Sequence, residues 1–354
     1  MMKDIIQIGD RRIGNGERCF IIAEAGSNHD QRYEQAVELI KVAAAAGADA
    51  VKFQVFTAGK IAARTTDRIA SLAEDKFNAY GKDLYELYKK LEIPRDWLPQ
   101  LQKIAAELGI MFCSTPFDEE AVAELELLNI PFYKIASFEL VHLPLIKCIA
   151  RTGKPVVLST GMATLEEIDD AVSVLTAADC RQYALLHCGI EYPPRMEDIH
   201  LAAMDTMRQR YSCPIGYSDH TQGITIPIAA VARGATIIEK HFTISNDLPG
   251  PDHKYALMPA ELKAMVEAIR DVEKAIGRPE KRPVEREMVY LQRGRRSLFA
   301  AVDLKKGSTI TRESVAILRP GSGLMPKYLD EIIGKKVKTD IAVNEPLTRE
   351  KLEQ

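Results

Sequence analysis

Residues 132–159 read FYKIASFELVHLPLIKCIARTGKPVVLS, and they contain one complete strand–helix–strand unit. A short apolar run (132–136) is followed by a stretch with apolar residues at helical spacing (143–152) and a second β-branched run (156–159). Two strands joined through a helix lie parallel with a right-handed crossover, so this segment places its chain in the α/β class. The same alternation extends in both directions. Further strand-like runs stand at 20–25 (FIIAEA), 50–54 (AVKFQ), 111–114 (MFCS), 183–187 (YALLH), 215–218 (IGYS) and 237–240 (IIEK), eight in all. Helical periodicity fills 33–46, 98–108, 119–128, 165–177 and 226–233, and 259–276 after the last run. Eight such units point to a closed (β/α)8 TIM barrel rather than an open doubly wound sheet. No GxGxxG follows the first strand, which argues against a dinucleotide-binding fold.

Two features depart from the repeat. The segment 55–109 between the second and third strands is too long for one helix and its loops, and 60–88 forms extra material on the face where barrel active sites assemble. The residues from 281 onward carry 16 Lys and Arg against 10 Asp and Glu, a net of +6, leaving 31 against 40, or −9, for the preceding 280. GRPEKRPVERE at this join is polar and proline-bearing, as linkers are. The chain therefore divides into a barrel (1–282), a linker (283–293) and a small β-rich module (294–354) with glycine turns.

A formal charge of −3 argues against a general nucleic-acid binder held by phosphate contacts. No apolar run approaches the length that spans a bilayer, and the N-terminal residues lack the apolar core of a signal peptide. Six scattered cysteines without a CxxC pair read as reduced thiols. A cytoplasmic location is the expectation.

In a TIM barrel, chemistry gathers at the C-terminal ends of the strands. Every strand end here is polar: Glu24 with Asn28 and His29; Lys52 and Gln54; Ser114 and Thr115; Lys134 and Ser137; Ser159 and Thr160; His187; Ser218, Asp219 and His220; Glu239, Lys240 and His241. Lys52 and Lys134 sit within otherwise apolar runs, and lysine is rarely buried unpaired. With the hydroxyls of Thr115, Ser137, Ser159 and Ser218 they form an anion-binding mouth suited to phosphate or carboxylate. One lysine acting as a Schiff-base nucleophile, or both paired internally with Glu24 or Glu239, are the alternatives. His220 and His241 lie 21 positions apart, one repeat, and so occupy equivalent places on neighbouring strands where two imidazoles can share a divalent metal. Glu24 is placed to be a third ligand or a general base. The turn LPGPDH presents Asp252 to the mouth, and Tyr192 begins the loop after strand six. Cys188 and His187 are adjacent in a strand and point to opposite faces, which argues against a nucleophile pair.

The segments FIIAEAGSNH, VKFQ, STPFD, YKIAS, STGM, LHCGIEYP, GYSDHT, IEKHF and LPGPDH, followed by RRSLFAAVDLKKG and LRPGSG, together resemble the sialic acid synthases and their relatives over nearly the whole chain. The resemblance implies a barrel followed by an antifreeze-like (SAF) domain, assembled as a domain-swapped homodimer in which that domain covers the partner's site. It implies condensation of phosphoenolpyruvate with an open-chain N-acetylated hexose such as N-acetylmannosamine, water being consumed and phosphate released. By the same resemblance His220 and His241 hold a divalent ion, typically manganese, with magnesium or cobalt as alternatives. Lys52, Thr115, Lys134, Ser137, Ser159 and Ser218 bind phosphoenolpyruvate. Glu24, Gln54, Tyr192 and Asp252 surround the sugar, Glu24 transferring a proton, and Arg319 reaches the N-acyl group from the other subunit. Three positions depart from the sialic acid pattern: Ile190 stands where an asparagine is common, Ser322 replaces an asparagine in RPGNG, and 78–83 does not reproduce a sugar-contacting asparagine. Legionaminic and pseudaminic acid synthases share almost every one of these motifs.

Overall fold

The computed structural model describes residues 5–65, 67, 71–72 and 77–353. The eight runs become strands β3 (Phe20–Gly26), β4 (Ala50–Val55), β5 (Met111–Pro116), β6 (Tyr133–Ile135), β7 (Val156–Ser159), β8 (Tyr183–Cys188), β9 (Ile215–Asp219) and β10 (Ile237–His241). All pair in parallel in sequence order, and β10 closes on β3 with Ile237 opposite Phe20 and His241 opposite Glu24. This is a closed TIM barrel; the open-sheet alternative is excluded.

The helices α1 (Tyr33–Ala46), α4 (Leu98–Glu107), α5 (Glu119–Leu127), α6 (Leu143–Ala150), α7 (Leu165–Ala177), α8 (Ala203–Arg210), α9 (Thr225–Ala232) and α10 (Pro259–Ile276) follow their strands. Local chemistry sets their ends. Asp118 accepts from Ala121 N at the start of α5, and Thr164 and Glu167 form a reciprocal capping box on α7. Gly47 ends α1 at φ 81°, a left-handed conformation that a side chain would strain. The periodicity did not reveal α8: its sequence AMDTMRQR buries only Met204 and Met207, too few apolar positions to mark a helical face.

Strand alternation sorts the side chains. Outward residues such as Ile21, Val51, Tyr133, Leu158 and Ile238 form one large core with the helices. Inward residues Phe20, Ile22, Phe132, Val157, Leu186 and Ile237 form a second. An N-terminal hairpin, β1 (Ile5–Ile8) and β2 (Arg11–Gly14), inserts Ile6, Ile8 and Ile13 into this second core. The barrel bottom is thus a dry plug, and the upper half of the lumen holds the polar residues.

The long β4–β5 connection contains α2 (Ala58–Ile61) and α3 (Leu84–Leu91), with Ser71 bridged to Asp83. Positions 66, 68–70 and 73–76 of the insertion expected at 60–88, and residues 1–4 of the N-terminal stretch, lie outside the described residues.

The chain forms two compact units, dividing between Gly277 and Arg278. In the second unit the stretch expected as a linker carries a helix, α11 (Met288–Gly294). Two antiparallel strands follow, β11 (Ser297–Ala300) and β12 (Val315–Leu318), with a short helix α12 (Leu329–Ile332). Single bridges such as Leu304–Ile341 and Val337–Leu352 complete it around Leu298, Ile310, Val337, Ile341 and Leu347. Among the described residues no helix is long and apolar enough to cross a membrane. All six cysteines are free thiols.

Candidate active site

Above the apolar plug the inward positions change character within two residues along each strand. Glu24, Lys52, Gln54, Thr115, Lys134, Ser159, Ser218, Glu239, His220 and His241 converge on one cavity at the C-terminal end of the barrel. The two lysines are buried, 3% and 2% exposed, and each has a carboxylate. Lys52 Nζ lies 2.8 Å from Glu24 Oε2 and donates to Thr115 Oγ1 at 3.0 Å. Lys134 Nζ donates to Ser159 Oγ at 2.7 Å and to the Ile135 carbonyl at 2.9 Å. Glu239 stands between them, its Oε1 3.8 Å from Lys52 Nζ and 3.7 Å from Lys134 Nζ, and accepts from Ser218. Its Oε2 is buried without a hydrogen-bond partner.

Burial and neighbours drive the two glutamates apart. Burial raises the Glu24 carboxyl, and Lys52 only partly offsets it while Glu239 adds to the rise. Burial acts on Glu239 in the same sense, but Lys134, Lys52, His220 and the Ser218 hydroxyl together outweigh it and hold its carboxyl below the usual range. Lys134 is lowered by burial despite Glu239, with Lys52 adding to the effect; for Lys52 the attraction of Glu239 and Glu24 overcomes burial and raises it. A carboxyl raised in this way, facing one that is lowered, is the pairing that separates acid from base.

His220 and His241 stand side by side with ring centroids 5.2 Å apart. His220 Nδ1 is 2.6 Å from the Gly189 carbonyl. A carbonyl only accepts, so Nδ1 carries the hydrogen, and the Nε2 lone pair is available when the ring is neutral. Burial, reinforced by His220 and the lysines, holds His241 well below the ordinary imidazole value, which keeps it neutral. Burial lowers His220, but Cys188 and the Gly189 carbonyl outweigh it and raise the ring, so the two imidazoles fit a divalent ion with His220 deprotonated. Among the described residues no third His, Cys, Asp or Glu completes a group that would hold an ion alone. Glu24 is not that third ligand: its carboxylate is engaged by Lys52 and by Gln54, whose Nε2 donates at 2.7 Å.

The Tyr192 ring packs 4.2 Å from His220, and Tyr255 5.3 Å from His241. Asp252 Oδ2 lies 4.0 Å from His241 Nδ1 and accepts from Ser27 Oγ at 3.2 Å. Its loop is held by His253, fully buried, whose Nδ1 is 2.6 Å from Thr243 Oγ1 and whose Nε2 is 3.0 Å from Asp30 Oδ2. Ser137 follows β6, and its Oγ accepts from Gly161 N at 3.0 Å. A side chain at Gly161 would meet Ile190 Cγ2 at 2.3 Å, so Ile190 occupies the space over this turn.

Seven strand-end residues singled out for their polarity do not line the cavity, among them Asn28, which donates to the Phe242 carbonyl, His29, and Thr160, which donates to the Leu186 carbonyl. Lys240 and Asp219 point outward and pair at 2.5 Å, and His187 points outward to the Ile199 carbonyl. Ser114 donates to the Phe53 carbonyl in the wall. Alternation brings Cys188 inward, 3.8 Å from His220 Nδ1 rather than beside His187. Arg319 belongs to the second unit, where its Nε donates to the Gly294 carbonyl.

Sequence reasoning passed over Glu139 and Tyr255, set Cys188 aside as a nucleophile with His187, and treated Glu239 only as an internal partner for a lysine. Glu139 ends a single turn after β6; its Oε2 is buried without a partner, and burial, opposed by Lys134, raises its carboxyl to about 7. Its spacing of five from Lys134, around a turn beyond the strand, carried no periodic signal.

A barrel with this mouth, followed by a small second unit, defines a class of lumen-site enzymes, and comparison with known proteins narrows it. Residues 39–281 match the NeuB family and residues 295–353 the SAF domain. The N,N'-diacetyllegionaminic acid synthase of Legionella pneumophila is 39% identical over 96% of each chain, and the pseudaminic acid synthase of Helicobacter pylori is 37% identical over 94% of this chain and 98% of that one. The crystal structure of an N-acetylneuraminic acid synthetase from Leptospira borgpetersenii, 33% identical, superposes with a TM-score of 0.71 over 81% of this chain and 96% of its own. The chain belongs to the NeuB family.

Proposed function

We propose that the protein condenses phosphoenolpyruvate with the aldehyde of an open-chain N-acylated hexose and water, giving a nine-carbon α-keto acid of the sialic, legionaminic or pseudaminic type and inorganic phosphate. The observation that carries this reading is the row Lys52–Glu239–Lys134 facing the His220/His241 pair across one cavity.

Phosphoenolpyruvate brings a carboxylate and a phosphate. Lys52 and Lys134, with Thr115, Ser137, Ser159 and Ser218, supply two cations and four hydroxyls to bind it, which would give both ammonium groups further anionic partners. When bound at His220 and His241, a divalent ion, manganese or in its place magnesium or cobalt, supplies Lewis acidity toward a carbonyl oxygen. The enol C3 bonds to the aldehyde carbon, and the aldehyde oxygen takes a proton. Glu24, whose carboxyl is raised and lies beside Gln54, is the group suited to give it. The positive charge left at C2 is met by Glu239, which stays anionic. Water adds at C2 and loses a proton. The C2–O bond to phosphorus then breaks at carbon with its electron pair leaving on phosphate, the C2 hydroxyl gives its proton to that phosphate, and a ketone remains. Gln54, Tyr192 and Asp252 line the sugar side, and Arg319 of a second copy, in a domain-swapped homodimer, contacts the N-acyl group.

Phosphate release from phosphoenolpyruvate on addition of acetamido sugars, with the product mass measured, tests the reaction. Release should stop on chelation and return with Mn2+; release that survives exhaustive chelation removes the metal assignment. A Schiff-base aldolase is the second reading, favoured by the lowered Lys134 amine. It requires borohydride to trap pyruvate on that lysine and yields no phosphate.

A further inference from the structure

We propose that Lys240 and Asp219, buried on the outer side of the barrel wall, are positioning residues that set His220 against His241 and thereby the affinity of that pair for a divalent ion. This rests on the metal reading above and passes from the two imidazoles to what holds them.

The last rung of the β9–β10 ladder pairs Lys240 with Asp219, and the next residue along each strand direction is a histidine of the site. His241 is still held on its other side, opposite Glu24 of β3. His220 lies past the end of β9, beyond the rungs that join β9 to β8 and to β10. Sheet pairing alone therefore leaves the distance between the two rings unfixed.

Lys240 supplies the missing hold. Its ammonium donates to Asp219 Oδ2 at 2.5 Å and to the Thr221 carbonyl, so it grips the residue on each side of His220. Asp219 closes the ring: Oδ1 accepts from Thr221 N and Oδ2 from Thr221 Oγ1, both at 3.0 Å. Residues 219–221 are thus wrapped about one cation, and that cation stands on the strand that carries His241. Lys240, Asp219 and Thr221 are buried, so water does not compete for these bonds. Rotation of the His220 ring is set separately, by the bond from Nδ1 to the Gly189 carbonyl.

Stability alone does not account for the pair. Taking two charges out of water offsets most of their attraction, and an apolar pair of similar volume holds a fold as well or better. What the ion pair adds is directed bonds. A site with two protein ligands needs both already in place, because ordering the second on binding would cost affinity. Neither Lys240 nor Asp219 lines the cavity, so their effect on an ion passes through the histidines.

The test is calorimetric titration with Mn2+ of the full chain stripped by chelator. Lys240→Met combined with Asp219→Asn keeps the volumes and the net charge and removes the ionic grip. The urea midpoint of this double variant, read from Trp97 fluorescence, should stay near the parent's, while its Kd for Mn2+ rises roughly 10–100-fold, the range for residues that orient metal ligands. A double variant that folds and binds Mn2+ as tightly as the parent would overturn the inference. Should it not fold, Thr221→Val, which removes one bond of the clamp and no charge, decides: a Kd raised severalfold sustains the inference, and a parental Kd overturns it. A parent that binds no Mn2+ would instead remove the metal reading, and this inference with it.

Discussion

Replacing Glu139 by Gln should make the barrel more stable at neutral pH and erase a specific part of its pH dependence. The carboxyl is largely buried, one oxygen lacks a partner, and its folded value is raised from 4.5 to about 7. A raised acid binds its proton more tightly in the folded chain than in the unfolded one. Stability is therefore lost as pH rises from about 4.5 to about 7 and is level above that. At 1.36 kcal/mol per unit, the cost of ionising this group in place is about 3 kcal/mol above pH 7, while at pH 5 under about 1 kcal/mol has accrued. The amide of Glu139→Gln would imitate the neutral acid, so the variant should exceed the parent by about 3 kcal/mol at pH 8 and by under about 1 kcal/mol at pH 5. Trp97 is the single tryptophan and packs against His29 and Tyr33 in the barrel, so its fluorescence during urea unfolding follows that unit alone. A parent–variant gap that stays constant from pH 5 to pH 8 would refute the reasoning, as would a variant less stable at pH 8.

Other substitutions test separate parts of the site. Glu239→Gln leaves Lys134 without its carboxylate and should cost about 3–5 kcal/mol, the usual penalty for breaking a buried ion pair; a denaturation midpoint near the parent's would show that the row is not coupled. Arg319→Ala should raise the KM for sugar and leave that for phosphoenolpyruvate, and an unchanged sugar KM would take the second unit out of the site. His253→Ala removes the link between Thr243 and Asp30 and should cost about 2 kcal/mol. It should also raise the sugar KM through Asp252 without moving the phosphoenolpyruvate KM; a parallel rise in both would mark His253 as structural only. His241→Ala should abolish phosphate release and remove Mn2+ binding seen by titration, and undiminished binding would place the ion elsewhere.

Sequence alone determined the barrel, because hydrophobic periodicity is a local property: alternating runs and helical stretches follow from which residues can face a core. It also placed Lys52, Lys134, His220 and His241 at strand ends, since a lysine inside an apolar run demands a partner and a spacing of one repeat sets two histidines on adjacent strands. Tertiary structure decided the rest. Whether a strand-end residue faces the lumen or the helices depends on the parity of its position, and closure of the barrel at β3–β10 fixes that parity; it sent Lys240 and Asp219 outward and Cys188 inward. The raised carboxyl of Glu24 against the lowered one of Glu239 was likewise invisible along the chain. It arises from charges supplied by β4 and β6, and electrostatic energy depends on distance through space rather than on separation in sequence.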